Sequence, residues 1–471
     1  MRRLLWSRKA LVGVSFLAVM AALGTGQFVL SKAVAQGGKQ APRFEVDPFW
    51  PKPMPNNWVL GQAIGVAVDS RDHIWIVHRG SDPAALDNTE LAVPISGARA
   101  GQRVGECCNP SPPVMEFDQA GNLVNAWGGP SPTREYEWPT SNHGIAVDAE
   151  GFVYIGGNGA GDAHVLKFTR DGKFVAQWGR ANARQVQTAA ARPDPMAGYA
   201  GVAPGGGVPA AGGAPVAGTA APSAGAAPAA GAPAAAPAAG GAAPAAAPTY
   251  QANSHDRASF GRVAKIDLDE GAKEAYLSDG YLNHRVAVVD MGTGELKRYW
   301  GAYGRPPTDE VLPPYDPTAP IAQQFRNPVH CSNVSNDGFV YVCDRPNDRI
   351  QIFRKDGTFV KEVFVARETL ADGSVWDIDF SPDPEQRYLY VADGVNEHVR
   401  VFDRQNMEEL YNFGYGGRQP GMFLGVHSIA VDSKGNIYTT ETYTGKRLQK
   451  FVFKGVGPVT TVHAAMPWPT Q

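Results

Sequence analysis

The sequence predicts an all-β protein, a six-bladed β-propeller built from repeats, and three observations carry that expectation. One unit recurs six times along the chain, at a spacing of roughly 40–50 residues. Within each unit, short β-rich runs alternate with turns marked by Gly, Asn or Asp. A unit of that size cannot bury both faces of its own sheet, so neighbouring units must stack around a central channel.

The clearest copies are HGIAVDAEGFVYIGG followed by HVLKFTRDGKFVAQWG (143–179), HCSNVSNDGFVYVCD followed by RIQIFRKDGTFVKEV (330–363), and HSIAVDSKGNIYTTE followed by RLQKFVFKG (427–455). Each reads as an apolar strand, a tight turn, a second strand, a loop and a third strand; in the first two, an Asp-Gly turn leads into a fourth. Divergent copies begin near Ile64, Val263 and Val375. Residues 44–47 or 459–463 are candidates for the outer strand that completes the last blade.

Two segments interrupt the rhythm. Residues 198–248 are almost wholly Ala, Pro and Gly, a composition that cannot bury a core and predicts disorder. Residues 80–112 lengthen the loop between the second and third strands of unit one and are placed to lie over one face of the ring. The N-terminus joins a basic start to an apolar run from Ala10 to about Leu23 and a small-residue site at Ala33-Val34-Ala35. That pattern predicts a secretory signal peptide; Arg2-Arg3 is a weak twin-arginine feature. An uncleaved anchor is the alternative, but the run is short for a membrane span. The expected organisation is a signal peptide at 1–35, an N-terminal extension at 36–57, and a propeller at 58–471 interrupted by a low-complexity insertion at 181–259. The expected location is secreted or periplasmic. A net charge of −3 gives no basic field for nucleic acid.

An oxidising compartment permits disulfides. Cys331 and Cys343 are equidistant from Asp337 at a turn, so they face each other across an antiparallel hairpin and are expected to bond. The adjacent Cys107 and Cys108 are open to a vicinal disulfide, a soft metal or free thiols; the disulfide is favoured because no second metal-type pair is near.

Three histidines fall on one repeat position in alternate units: His143, His330 and His427. Units one, three and five carry Ile64, Ala264 and Trp376 there. The innermost strands line the channel, so three imidazoles from alternate blades converge at one depth about 120° apart. His₃ with an open fourth position is a catalytic zinc arrangement. His73, His164, His255, His284, His398 and His463 form no such set. Loops after the second strands open on the same face and bring Arg79, Tyr281 and Arg345. Arginine suits a carboxylate or developing oxyanion, and tyrosine serves as a base once a cation lowers its pKa.

In order, VHRG (77–80), NHGIAVD (142–148), SDGYLNHR (278–285), NPVHCSN (327–333), CDRPNDRIQIF (343–353) and GVHSIAVD (425–432) resemble the motifs of peptidyl-α-hydroxyglycine α-amidating lyases, and the units resemble NHL repeats. The resemblance runs collinearly from about residue 58 to 455. It implies a six-bladed propeller with zinc on His143, His330 and His427, a site tyrosine at Tyr281 and site arginines at Arg79 and Arg345. The implied reaction splits a C-terminal α-hydroxyglycine into an amide and glyoxylate, so the implied partner is a peptide or small molecule bearing that group. It also implies a disulfide at Cys331–Cys343. The family's calcium sits on an aspartate directly after the third histidine; Ser428 stands there in this chain. Leu282 follows Tyr281 where the family has a cysteine.

Two other readings compete. A non-catalytic NHL propeller would bind a protein or glycan in the cell envelope. A propeller lactonase or other metal hydrolase would need carboxylates at the inner-strand position, and no matching acidic set occurs.

Overall fold

A computed structural model describes residues 39–80, 86, 90–186 and 248–458. The expected signal peptide, most of the Ala/Pro/Gly tract and residues 459–463 lie outside the described residues. Six four-stranded antiparallel sheets form the molecule. Their inner strands are Gln62–Val68, Asn142–Val147, Val263–Asp269, Val329–Val334, Asp377–Phe380 and Val426–Val431. Each inner strand packs on the next, and the sixth packs on the first, so the sheets are blades of a closed ring.

Strand periodicity explains why the blades stack. In Ile74–Arg79 the side chains of Ile74 and Ile76 face blade six, while Trp75 and Val77 face blade two. All four are fully buried, so both faces of one strand serve as core. The same division repeats around the ring and yields six apolar cores, one in each gap between blades.

The recurring Val-Asp after the first strand builds the first turn. Asp148 closes it through the Phe152 carbonyl and the Gly151 N–H, and its carboxylate accepts a bond from Tyr154 Oη at 2.9 Å. Asp69 with Trp75 and Asp432 with Tyr438 repeat the device at 3.1 and 3.0 Å. At the opposite face, an acid ending the second strand pairs with an arginine on the third: Asp279–Arg285, Asp344–Arg349 and Asp393–Arg400, each at 2.7 Å. The first two pairs are fully buried, where removing one partner costs about 3–5 kcal/mol. They fix the loops that carry the site.

The expected N-terminal extension contributes to the ring. Gln40–Asp47 pairs antiparallel with Leu448–Pro458 and is the outer strand of blade six, so the propeller starts before residue 58. Hydrogen bonding of an N-terminal strand to the last blade closes the circle and leaves no gap between ends. The flanks of the 181–259 insertion are also folded: Gln185–Val186 pairs with Thr249–Tyr250, and Arg184 forms an ion pair with Asp256. The insertion in blade one reaches blade six, where Glu90 pairs with Lys446 at 2.7 Å. Its Asn109–Pro110 lies parallel to Trp58–Val59. Both disulfides are formed, Cys107–Cys108 in this insertion and Cys331–Cys343 between directly paired residues. Among the described residues no helix is long and apolar enough to cross a membrane.

Candidate metal centre

His143, His330 and His427 each stand near the start of an inner strand, on blades two, four and six. Their ring centroids are 4.8, 4.9 and 5.0 Å apart, a nearly equilateral triangle about the channel axis. All three are buried. The blades between them supply what orients them. His143 Nδ1 bonds the Ala264 carbonyl at 2.6 Å, His427 Nδ1 the Ile64 carbonyl at 2.7 Å, and His330 Nδ1 the Trp376 carbonyl. A carbonyl only accepts, so each Nδ1 carries the proton and each Nε2 keeps its lone pair.

The Nε2 atoms of His143 and His330 both meet the Tyr281 hydroxyl, at 2.8 and 3.0 Å. One phenolic proton cannot satisfy two lone pairs, and a third imidazole converges beside them. Burial first, then neighbouring imidazoles and guanidinium groups, hold His143 and His330 far below the ordinary histidine range. Burial and Arg345 lower His427 to about 3. Three neutral nitrogen donors, each with its second nitrogen bonded to a carbonyl, form a set that could hold a metal ion, with the outer-shell bonds such a site uses. The residues fit zinc, which takes three such ligands and keeps a position open.

Tyr281 reaches the axis from the loop after Glu274–Asp279. The approach is close: a Cβ on Gly280 would stand 2.1 Å from the Val329 carbonyl oxygen, so only glycine fits between Asp279 and the tyrosine. Burial pushes the Tyr281 phenol up, and the Arg345 and Arg79 charges pull it back. Arg345 opens the short turn Arg345–Asn347 and points Nη1 at Tyr281 Oη, 3.4 Å away. Its guanidinium lies 4.6 Å from the Trp376 ring centroid, and its Nη2 is 3.5 Å from Asp372. Arg79 ends the second strand of blade one and is held by Gln62 at 3.0 Å, Asn158 at 2.8 Å and the Asn142 carbonyl at 3.2 Å. Through Asn142 it adjoins His143, whose proton affinity it lowers.

All six residues expected from the sequence are therefore together. The sequence reading missed three others. Trp376 forms a wall against His427, Arg345 and Tyr443. Asp372 and Tyr443 bond to each other at 3.0 Å beside Arg345. Tyr443 had a signal, because it follows Glu441 as Tyr281 follows Asp279, two residues after the acid that ends the second strand. Cys107–Cys108 lies in the blade-one insertion. Ser428, after the third histidine, offers a hydroxyl 3.4 Å from His427 Nδ1 and no carboxylate.

A second grouping of Asp69, His73 and Glu116 also brings ligand atoms together. Arg170 already fills it, with Nη1 2.7 Å from Asp69 and Nη2 on Glu116, so its charge is met from within.

No family model matches the chain. Among solved structures, it is similar to a streptogramin B lyase at 10% identity and a TM-score of 0.44, over 88% of this chain and 98% of that one. It is also similar to a structural-genomics protein of unknown function from Bacteroides thetaiotaomicron VPI-5482, at 11% identity and a TM-score of 0.45, over 88% of this chain and 77% of that one.

Proposed function

We propose that the chain is an exported zinc-dependent lyase of the amidating-lyase type, cleaving the C–N bond of an N-acyl α-hydroxyglycine to an amide and glyoxylate. The observation that carries this reading is the set of three carbonyl-anchored imidazoles whose ligand atoms lie within 4.8 Å of one another, two of them, His143 and His330, meeting the Tyr281 hydroxyl through Nε2. His143, His330 and His427 would hold a zinc ion, which when bound would supply Lewis-acid polarisation of a substrate hydroxyl. Arg345, with Arg79 from the opposite side, holds the substrate carboxylate and offsets charge that develops beside it. Tyr281 sits at the imidazoles and under the Arg345 guanidinium; as the phenolate, a form that a bound cation and the neighbouring guanidinium groups would stabilise, it takes the hydroxyl proton. The electron pair of that O–H bond becomes the carbonyl of glyoxylate, the C–N pair leaves with nitrogen, and the proton returns to nitrogen to complete the amide. Atoms and charge balance without an oxidant or a second substrate.

Two disulfides and the N-terminal sequence pattern support an oxidising, extracytoplasmic location. The test is release of glyoxylate from α-hydroxyhippurate by the zinc-loaded protein. Tyr281→Phe is expected to abolish release while leaving bound zinc unchanged; undiminished turnover would take Tyr281 out of the mechanism. Absence of any release from zinc-loaded wild type would remove the lyase reading and favour a binding propeller.

A further inference from the structure

The connection between blades four and five has no counterpart in the repeat, yet it delivers a carboxylate to the site. It passes through left-handed backbone at Ala366 (φ 45°), Ala371 (φ 60°) and Gly373 (φ 75°). For an alanine that conformation costs roughly 1–2 kcal/mol, so the surrounding contacts must hold it. They are specific. A Cβ on Gly373 would stand 2.0 Å from the Arg345 carbonyl oxygen, so the two backbones lie in direct contact. Ser374 N–H donates to Asp348 at 2.8 Å, and Trp376 Nε1 donates to the Gly373 carbonyl at 2.7 Å. The strained turn is thereby pinned on the Arg345 turn, with Asp372 between the left-handed Ala371 and Gly373.

Asp372 uses both carboxylate oxygens. Oδ1 lies 3.5 Å from Arg345 Nη2, and Oδ2 accepts the Tyr443 hydroxyl at 3.0 Å. Tyr443, itself left-handed at φ 47°, sets its ring edge-on to Trp376 at 6.1 Å and 86°. The Arg345 guanidinium lies over the same indole. Stacking fixes a guanidinium plane but leaves its rotation within that plane free. Asp372 on one side and Tyr281 on the other remove that freedom, and a nearly fully buried cation also requires a countercharge.

We infer that Asp372 is the positioning residue for Arg345, with Tyr443 fixing Asp372 in turn. The connection between blades four and five, and not the histidine blades alone, then sets the direction in which the site presents its guanidinium. The lyase reading enters only in naming what Arg345 binds, a substrate carboxylate.

The experiment compares Asp372→Asn, Asp372→Glu and Tyr443→Phe with wild type in the zinc-loaded full chain. Phenylglyoxal modification of Arg345, followed by peptide mass mapping, reads the guanidinium directly. Glyoxylate release from α-hydroxyhippurate reads its consequence, with zinc content and circular dichroism as controls. Asp372→Asn is expected to speed Arg345 modification about five-fold or more and to raise KM about ten-fold with a smaller fall in kcat, because the displaced guanidinium both holds the carboxylate and offsets developing charge. Asp372→Glu should restore most of both, and Tyr443→Phe should move both in the same direction by less. An unchanged modification rate in Asp372→Asn overturns the assignment whatever the activity. Faster modification with no glyoxylate from wild type keeps the positioning role and removes the lyase reading. If Asp372→Asn loses its fold, Tyr443→Phe decides by the same rate, and no change there overturns the inference.

Discussion

Asp348 closes the turn that carries Arg345, donating its N–H to the Arg345 carbonyl at 3.1 Å, and its carboxyl is buried with no ion pair among the described residues. Oδ1 accepts from Ser374 N–H, while Oδ2 has no hydrogen-bond partner among the described residues. Burial first, then the Asp393 and Asp344 charges, raise this carboxyl to about 8. An acid whose folded pKa is raised keeps its proton in the folded state while the unfolded chain has lost it. Between about pH 4 and pH 8 the folded state therefore binds more protons, and stability falls as pH rises. A full shift gives about 1.4 kcal/mol per pH unit, or about 4 kcal/mol from pH 5 to pH 8. Screening by nearby solvent roughly halves that to about 2 kcal/mol. Asp348→Asn keeps the shape and suits the left-handed backbone at φ 52°, but has no proton to lose. Groups that do not interact with Asp348 titrate alike in both proteins, so thermal or urea unfolding at pH 5, 6, 7 and 8 reads this carboxyl together with its coupling to Asp393 and Asp344. The variant should gain on wild type steadily across that range. A difference that is flat with pH, or a wild type favoured at pH 8, would refute the reasoning.

Three further outcomes follow from the same geometry. Gly280→Ala should displace the Tyr281 loop from Val329, lower the melting temperature and remove most glyoxylate release, since a 2.1 Å approach to backbone leaves nothing flexible to yield. Replacing Cys331 and Cys343 together by Ala should cost about 3 kcal/mol in denaturant unfolding, the chain-entropy value for a loop of that length, with zinc content unchanged. Arg285→Met, which strands the buried Asp279 carboxylate, should cost about 3–5 kcal/mol and weaken the Tyr281 loop that follows it.

What the sequence made legible depended on repetition. His330 alone was a polar residue at a strand start; its recurrence at His143 and His427 in alternate units placed all three on one axis, and their centroids lie there. Cys331 and Cys343 were readable because strand register around a tight turn is arithmetic, and the two residues are directly paired. The carbonyls that orient the imidazoles were not readable, because a backbone acceptor leaves no mark on residue type: Ile64, Ala264 and Trp376 do the same work. Asp372 was missed because connections between blades carry no repeat against which a residue can be aligned. Tyr443 was overlooked although ETY (441–443) parallels DGY (279–281). Closure by Gln40–Asp47 was half visible: residues 44–47 were one of two candidates for the outer strand of the last blade, and local strand character alone could not choose between them.

The most direct test of the central claim is the metal content of the purified protein after dialysis, measured by plasma mass spectrometry beside a His143→Ala, His330→Ala, His427→Ala triple variant. Wild type should retain about one zinc per chain, held by the three convergent imidazoles. The triple variant should fold and retain none. A wild type that holds no transition metal and gains no thermal stability from added zinc, or a triple variant that keeps its zinc, would contradict the account.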